Sequence, residues 1–178
     1  KSIVPSETAI IIDGEPFAAA ILATAPQHAA GLWPAAAIAD AYEPIATVYL
    51  QYMPDTVLPF PLLNLGGKFG QWVVDRGNGL LACVQSGHGE WEALDDAALS
   101  ATLQAELALP GAVVWHKVIR EKRATFACHP GLQRPGTATT SRQLFLAGDY
   151  TWSEYPATLE GAVRSGLRAA RQLLASPA

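Results

Sequence analysis

Apolar positions in this chain fall mostly in short runs closed by turn residues, the pattern of strands rather than of long helices. Ala9-Ile-Ile-Ile12 runs into Asp13-Gly14, an apolar segment ending in a hairpin-turn signal. The run that follows, Phe17 to Thr24, is rich in Ala. Its shortness and its stop at Ala25-Pro26 favour a second strand over a helix, although Ala is the best helix former. Pro26 then suits the first position of a short helix reaching Trp33. Residues 41–53 alternate, with Ile45, Val48, Tyr49, Leu50 and Tyr52 predicting a long strand. Pro54, Pro59 and Pro61 exclude the next segment from a central ladder position. Its Val57, Leu58, Phe60, Leu62 and Leu63 read either as a loop packed on the core or as the wall of an apolar channel. After the Gly66-Gly67 turn, Phe69–Asp75 and Leu80–Ser86 predict two strands of an antiparallel meander joined at Arg76-Gly-Asn-Gly79.

The helical period enters at Asp95–Leu107, where Leu99, Leu103 and Leu107 share a face behind an acidic start. Pro110-Gly111 ends it, and Ala112–Ala127 predicts another long strand. Its Arg120, Lys122 and Arg123 read as a solvent-facing stripe. Pro130 to Thr140 is a Gly/Pro/Thr loop. The last segment is the densest in signals. Leu144-Phe-Leu-Ala147 is short and wholly apolar, as in a strand covered on both faces. Gly148 permits close backbone approach, and Asp149 then stands at the carboxyl end of the strand, where open α/β sheets take ligands. Pro156 suits the first position of a helix whose amino end would favour an anion. Along that helix Ala157, Gly161 and Ser165 repeat on one face, and Ala162, Gly166 and Ala170 on another. Each interior glycine costs about 1 kcal/mol relative to alanine, which points to close approach by a neighbouring element or by a cofactor.

Composition narrows the function. Half of the 178 residues are hydrophobic, only 16% are charged and the net charge is -4. That balance allows a sizeable core and gives no electrostatic footprint for nucleic acid. Cys83 and Cys128 lie far apart, and His28, His88, His116 and His129 form no metal-ligand spacing, so no metal is expected. No apolar run approaches the ~20 residues of a membrane span. The chain begins at Lys1, which suggests a processed protein or a piece of a longer one.

Ala147-Gly-Asp-Tyr-Thr151, with Tyr155-Pro-Ala-Thr-Leu-Glu-Gly-Ala-Val-Arg-Ser-Gly166, resembles the C-terminal FAD-binding segment of the flavin amine oxidase and phytoene desaturase superfamily. Together with Tyr42–Leu50 and Trp115–Ala127, it is most similar to the squalene-associated desaturases, the hydroxysqualene dehydroxylases of hopanoid biosynthesis. The resemblance covers nearly the whole chain. It implies an α+β chain. Residues 1–40 would be the return segment of an FAD-binding domain, with Ala23–Pro26 near the cofactor. Residues 41–130 would be a mostly antiparallel substrate-domain sheet with a flanking helix. Residues 131–178 would be the C-terminal FAD-binding segment.

The resemblance further implies FAD as cofactor. Asp149 would hydrogen-bond its ribityl or pyrophosphate part, and the backbone of Thr158 and Leu159 would lie against the flavin ring. Gly148, Gly161 and Ala162 would give clearance. The family's opening βαβ unit with GxGxxG has no counterpart here, since Gly66-Gly67 sits in a hairpin-like turn. The missing N-terminal half of the same protein is therefore an expected partner, and this piece alone should be inactive. The implied substrate is an isoprenoid lipid, with reductive conversion of hydroxysqualene to squalene, in the cytoplasm and peripheral to the inner face of the cell membrane. No catalytic residue is assigned. Tyr150, Glu154 and Tyr155 are candidate proton donors because they flank the flavin segment, and Trp152 with Tyr155 only partly imitates the aromatic pair of amine oxidases. Two other readings stand beside this one: a carotenoid desaturase or amine oxidase, and a non-catalytic apolar-ligand or interaction module.

Overall fold

A computed structural model describes residues 1–37, 41–151 and 154–176. Two compact units result: residues 42–125 form one, and residues 1–41 with 126–178 form the other. The boundary expected at residue 40 lies outside the described residues. Helices and largely antiparallel sheets coexist, as expected of an α+β chain.

The unit of residues 42–125 is built on a five-stranded sheet. Its strands in chain order are β5 (Tyr42–Gln51), β6 (Leu62–Asn64), β7 (Trp72–Asp75), β8 (Leu80–Ser86) and β9 (Trp115–Phe126), in spatial order β6-β7-β8-β5-β9. β5 and β8 are antiparallel, with Val48 opposite Cys83 and Leu50 opposite Leu81. β8 in turn places Cys83 opposite Val73 of β7. Period-2 alternation sends Ala46, Val48 and Leu50 to one face, where all are fully buried. Helix α2 (Asp96–Leu107) covers that face with Leu99 and Leu103. Asp95 caps α2, its carboxylate accepting from Ala98 N–H at 2.7 Å. Gly79 turns the β7–β8 hairpin at φ +71°, and a Cβ there would sit 2.1 Å from the carbonyl oxygen of Met53.

Several expectations are corrected in this unit. The strand expected from Phe69 begins only at Trp72. The amides of Phe69 and Gly70 turn instead to the Glu106 carboxylate, at 2.9 and 2.8 Å. Leu62–Asn64 is an edge strand, and in the loop before it only Leu58 is buried while Val57 and Phe60 are exposed. Arg120 is only partly exposed and is engaged by the protein. Its Nε donates to Asp96 Oδ1 at 2.9 Å, Nη2 donates to the Leu94 carbonyl at 2.8 Å, and the guanidinium lies over the Trp91 ring. Lys122 and Arg123 are exposed.

The other unit is made of shorter pieces: β1 (Ile3–Pro5), β2 (Ile10–Ile12), β3 (Glu15–Phe17), β4 (Ala20–Leu22), α1 (Pro26–Leu32), β10 (Leu144–Leu146) and α3 (Leu159–Ala175). β1, β2 and β3 form an antiparallel sheet, with Asp13-Gly14 turning β2 into β3 at positive φ. The Ala-rich run is therefore not the hairpin partner of β2. Phe17 completes that hairpin, and Ala20–Leu22 leaves it to pair in parallel with β10. Leu144, Phe145 and Leu146 are all buried, as a strand covered on both faces requires. α1 opens at Pro26 as expected.

Candidate flavin-binding segment

The chain leaves β10 through Ala147 and Gly148 into a single 3-10 turn, Asp149–Thr151. Gly148 has φ +154°, and a Cβ there would press into the Tyr150 ring at 2.4 Å. Glycine is needed here for the chain's own turn. The Gly148 amide donates to Ser165 Oγ at 2.6 Å, and Ser165 Oγ donates to the Ala162 carbonyl at 3.1 Å. One buried hydroxyl of α3 thus locks the strand end to the helix. Thr151 closes the turn from its other side, its N–H and its hydroxyl both donating to the Gly148 carbonyl.

The helix begins three residues after Pro156, not at it. Thr158 is the N-cap: its Oγ1 accepts from Gly161 N–H at 3.0 Å. A threonine that satisfies an orphan helical amide is a stronger start signal than a proline that only tolerates the position. Ala157 consequently lies outside the helix, and the buried face of α3 is Gly161, Ser165 and Ala169. A Cβ on Gly161 would approach Thr158 Oγ1 at 3.1 Å and Tyr155 Cβ at 3.6 Å, so its clearance serves residues 155–158. A Cβ on Gly166 would meet nothing within 4 Å. Nothing among the described residues explains that glycine.

Asp149 is half-buried, and burial pushes its carboxyl above the ordinary range. The backbone N–H of Tyr150 and the charge of Arg134 pull it part of the way back. Arg134 comes from the Gly/Pro/Thr loop, and nothing in the sequence marks it. Its Nη1 donates to the carbonyls of Asp149 at 3.3 Å and of Tyr155 at 2.8 Å, and the guanidinium lies 5.4 Å from the centre of the Phe126 ring.

The candidate proton donors separate. Tyr150 is fully buried, its hydroxyl has no partner among the described residues, and burial with the Asp149 charge pushes it up to about 12. A sealed phenol of that acidity is a poor donor at neutral pH. Glu154 is exposed. Tyr155 is half-buried, with Arg164 over its ring. Trp152 lies outside the described residues. No group of three or more metal-ligating side chains occurs among the described residues. Cys83 is buried and Cys128 exposed, both unpaired.

The segment thus places a half-buried carboxylate at a strand end, next to a helix start whose Leu159 is 89% exposed. These residues fit a nucleotide cofactor: the carboxylate accepts hydroxyls, and the helix start offers amides and its positive dipole end. Residues 6–174 match the family model of the flavin containing amine oxidoreductases. The chain belongs to that family. A flavin cofactor follows from membership. The chain is 35% identical to a hydroxysqualene dehydroxylase of Rhodopseudomonas palustris, over 90% of its own length and 40% of that relative's. A hydroxysqualene dehydroxylase of Sinorhizobium fredii is 30% identical over 87% of this chain and 38% of the relative. A zeta-carotene desaturase of Synechocystis is 38% identical over 37% of this chain and 14% of the relative. In fold, the chain aligns at TM-score 0.68 and 12% identity with a protoporphyrinogen oxidase structure from Exiguobacterium, covering 98% of this chain and 46% of that one. The chain therefore spans about 40% of the length of its dehydroxylase relatives.

Proposed function

We propose that this chain is the C-terminal part of an FAD-dependent oxidoreductase that converts hydroxysqualene to squalene. The observation carrying this reading is the extent of similarity. The likeness to the Rhodopseudomonas dehydroxylase runs through 90% of the chain, whereas that to the Synechocystis desaturase covers 37%. The remaining length of the relatives points to a further portion of the same protein as partner, carrying the dinucleotide cradle that these residues lack.

In this reading Asp149 accepts from the ribityl or pyrophosphate part of FAD, and the backbone of Thr158 and Leu159 borders the flavin ring. Gly148 and Gly161 act on that wall through the chain's own packing, Gly148 by letting the turn close on Tyr150 and Gly161 by admitting residues 155–158, with Ala162 as the small residue beside them. FAD, when bound, supplies the two-electron chemistry that replaces C–OH by C–H with release of water. The protein's share is to hold the isoprenoid chain in a dry place. The sheet of residues 42–125 has a face suited to that. Register puts Ile45, Tyr49, Val84, Trp72, Val74 and Leu62 on the side opposite α2. Leu62 and Trp72 on that face are 52% and 45% exposed. An apolar substrate of this kind fits a protein at the inner face of the cell membrane, although no helix among the described residues is long and apolar enough to cross one.

The test is an anaerobic incubation of the full-length flavoprotein with a reductant and hydroxysqualene, with products read by mass spectrometry. Squalene is expected. Failure to form squalene, with desaturation of phytoene by the oxidised protein, would transfer the reading to the desaturase branch.

A further inference from the structure

We propose that Arg134 is the positioning residue of the flavin wall, setting the Gly148-Asp149 turn against the start of α3. This rests on the functional reading above. The two parts that would border the cofactor are separated in the chain by residues 152–157, and among the described residues 154–157 no helix or strand is formed. The turn is fixed to α3 from below by Gly148 N–H on Ser165 Oγ. The segment leading into the helix is fixed by Thr158, which caps Gly161 N–H. Arg134 spans the gap: a single nitrogen, Nη1, donates to the Asp149 carbonyl on one side and to the Tyr155 carbonyl on the other.

Such a bond between a charged donor and a backbone acceptor is worth more than a neutral one. The planar guanidinium is held by Phe126 beneath it, so its donors point one way. The same group is the cation nearest in effect to the Asp149 carboxylate. Arg134 therefore acts twice, through geometry on the turn and through charge on the side chain that would accept FAD hydroxyls. The other titratable group coupled to that carboxyl is Tyr150. α3 faces the turn with Ser165, which does not titrate, and Arg164 on that helix is engaged by Glu160. Removing Arg134 leaves burial unopposed by its charge. The carboxyl then takes up its proton at higher pH, and flavin is shed at higher pH.

The experiment uses the full-length flavoprotein and its R134A, R134Q, R134K and D149N variants, with FAD as the titrant. FAD affinity is read by flavin fluorescence from pH 5 to 9. R134A and R134Q should weaken FAD binding about tenfold, the size of one lost charge-assisted hydrogen bond. Their acid-side midpoint for flavin release should rise by about 0.5–1 pH unit, since an opposite charge nearby moves a carboxyl by at least that much. R134K keeps the charge and should restore the midpoint while recovering only part of the affinity. D149N should show no such midpoint. If R134A does not fold, R134Q and R134K decide the matter. Affinity within twofold of wild type and an unmoved midpoint in R134Q would overturn the proposal, as would a lowered apoprotein Tm with neither flavin readout changed. If D149N also leaves affinity and pH profile untouched, the flavin wall itself is misplaced, a failure distinct from that of Arg134.

Discussion

In residues 42–125 the large side chains meet one another. Val48, Leu50, Val73, Leu81, Leu99 and Leu103 are all fully buried between the sheet and α2. The other unit has a different economy. A small cluster of Phe145, Ala147 and Ala169 backs α3, while Leu159, Val163, Leu167 and Leu174 on the same helix stay exposed, Leu174 at 83%. Among the described residues, buried polar atoms without partners occur in both units: Gln85 Nε2 and Oε1 in the sheet, and Trp33 Nε1, Thr137 Oγ1 and Tyr150 Oη in the other unit. A buried polar atom left unpaired costs about 1–3 kcal/mol. Exposed leucines along one helix face mark an interaction surface more than a finished exterior. The comparison teaches that α2 closes a core with its leucines, whereas α3 leaves several of its own apolar side chains in water, as does the sheet face opposite α2 at Leu62 and Trp72.

The largest expected effect breaks or sustains that contrast directly. Leu103→Ala should cost about 2–5 kcal/mol in denaturant unfolding of this chain, because it opens a cavity in a closed core. Leu167→Ala should stay within about 0.5 kcal/mol, because its side chain is already half in water. Equal losses at the two positions would erase the distinction. Next comes Glu106→Ala, which strips the Phe69 and Gly70 amides of their carboxylate. A loss of about 1.5–3 kcal/mol is expected, with faster hydrogen exchange at those two amides.

Alkaline pH sharpens the comparison, since each unit holds one acid pushed up to about 12: Cys83, by burial, and Tyr150, by burial and the Asp149 charge. In both, the unfolded chain loses its proton first, from the ordinary values of 9.0 and 10.0. The unfolded state then binds fewer protons, so stability falls as pH rises from about 9 to about 12. Cys83→Ala should remove the earlier part of that decline in melts across pH 8–11, and Tyr150→Phe the later part. Iodoacetamide should label Cys128 quickly and Cys83 only on unfolding, since one thiol is exposed and the other buried.

The smallest effect is expected at Asp149. Burial disfavours its charge, so its ionised form costs stability above the ordinary carboxyl range and costs nothing in acid. Asp149→Asn should leave this chain equally or slightly more stable at neutral pH, with the difference vanishing as pH falls. A carboxylate kept at a cost to the fold is the mark of a functional position. A clear loss of stability in that variant would recast Asp149 as a structural residue.

Where local pattern dominates, the sequence was readable. The alternation in β5, the apolar run of β8 and the Asp-capped leucine stripe of α2 each lie where residue spacing alone puts them. The misses involve partners distant in the chain. The parallel pairing of Ala20–Leu22 with Leu144–Leu146 cannot be seen from either segment, and by sequence alone the Ala-rich run reads as part of the nearer hairpin. Arg120 looked like one more surface cation because its acceptors, Asp96 and Leu94, come from the start of α2 and the residues before it. In the candidate site, Gly148 and Asp149 were legible as a strand end. The helix starts three residues beyond Pro156, at the position that Thr158 as a cap marks in the sequence. Arg134 had no signal at all: a lone arginine in a Gly/Pro/Thr loop acquires its role only when the loop folds back on Asp149 and Tyr155.

The most direct measurement is the flavin content of the full-length protein and of its Asp149→Ala variant, taken from the visible flavin band against the protein band and confirmed by chromatography of the released cofactor. The account predicts near-stoichiometric FAD in the wild type and a variant purified largely as apoprotein that still unfolds cooperatively. Equal FAD in both would contradict the assignment of the Gly148-Asp149 turn and the start of α3 as the cofactor's wall.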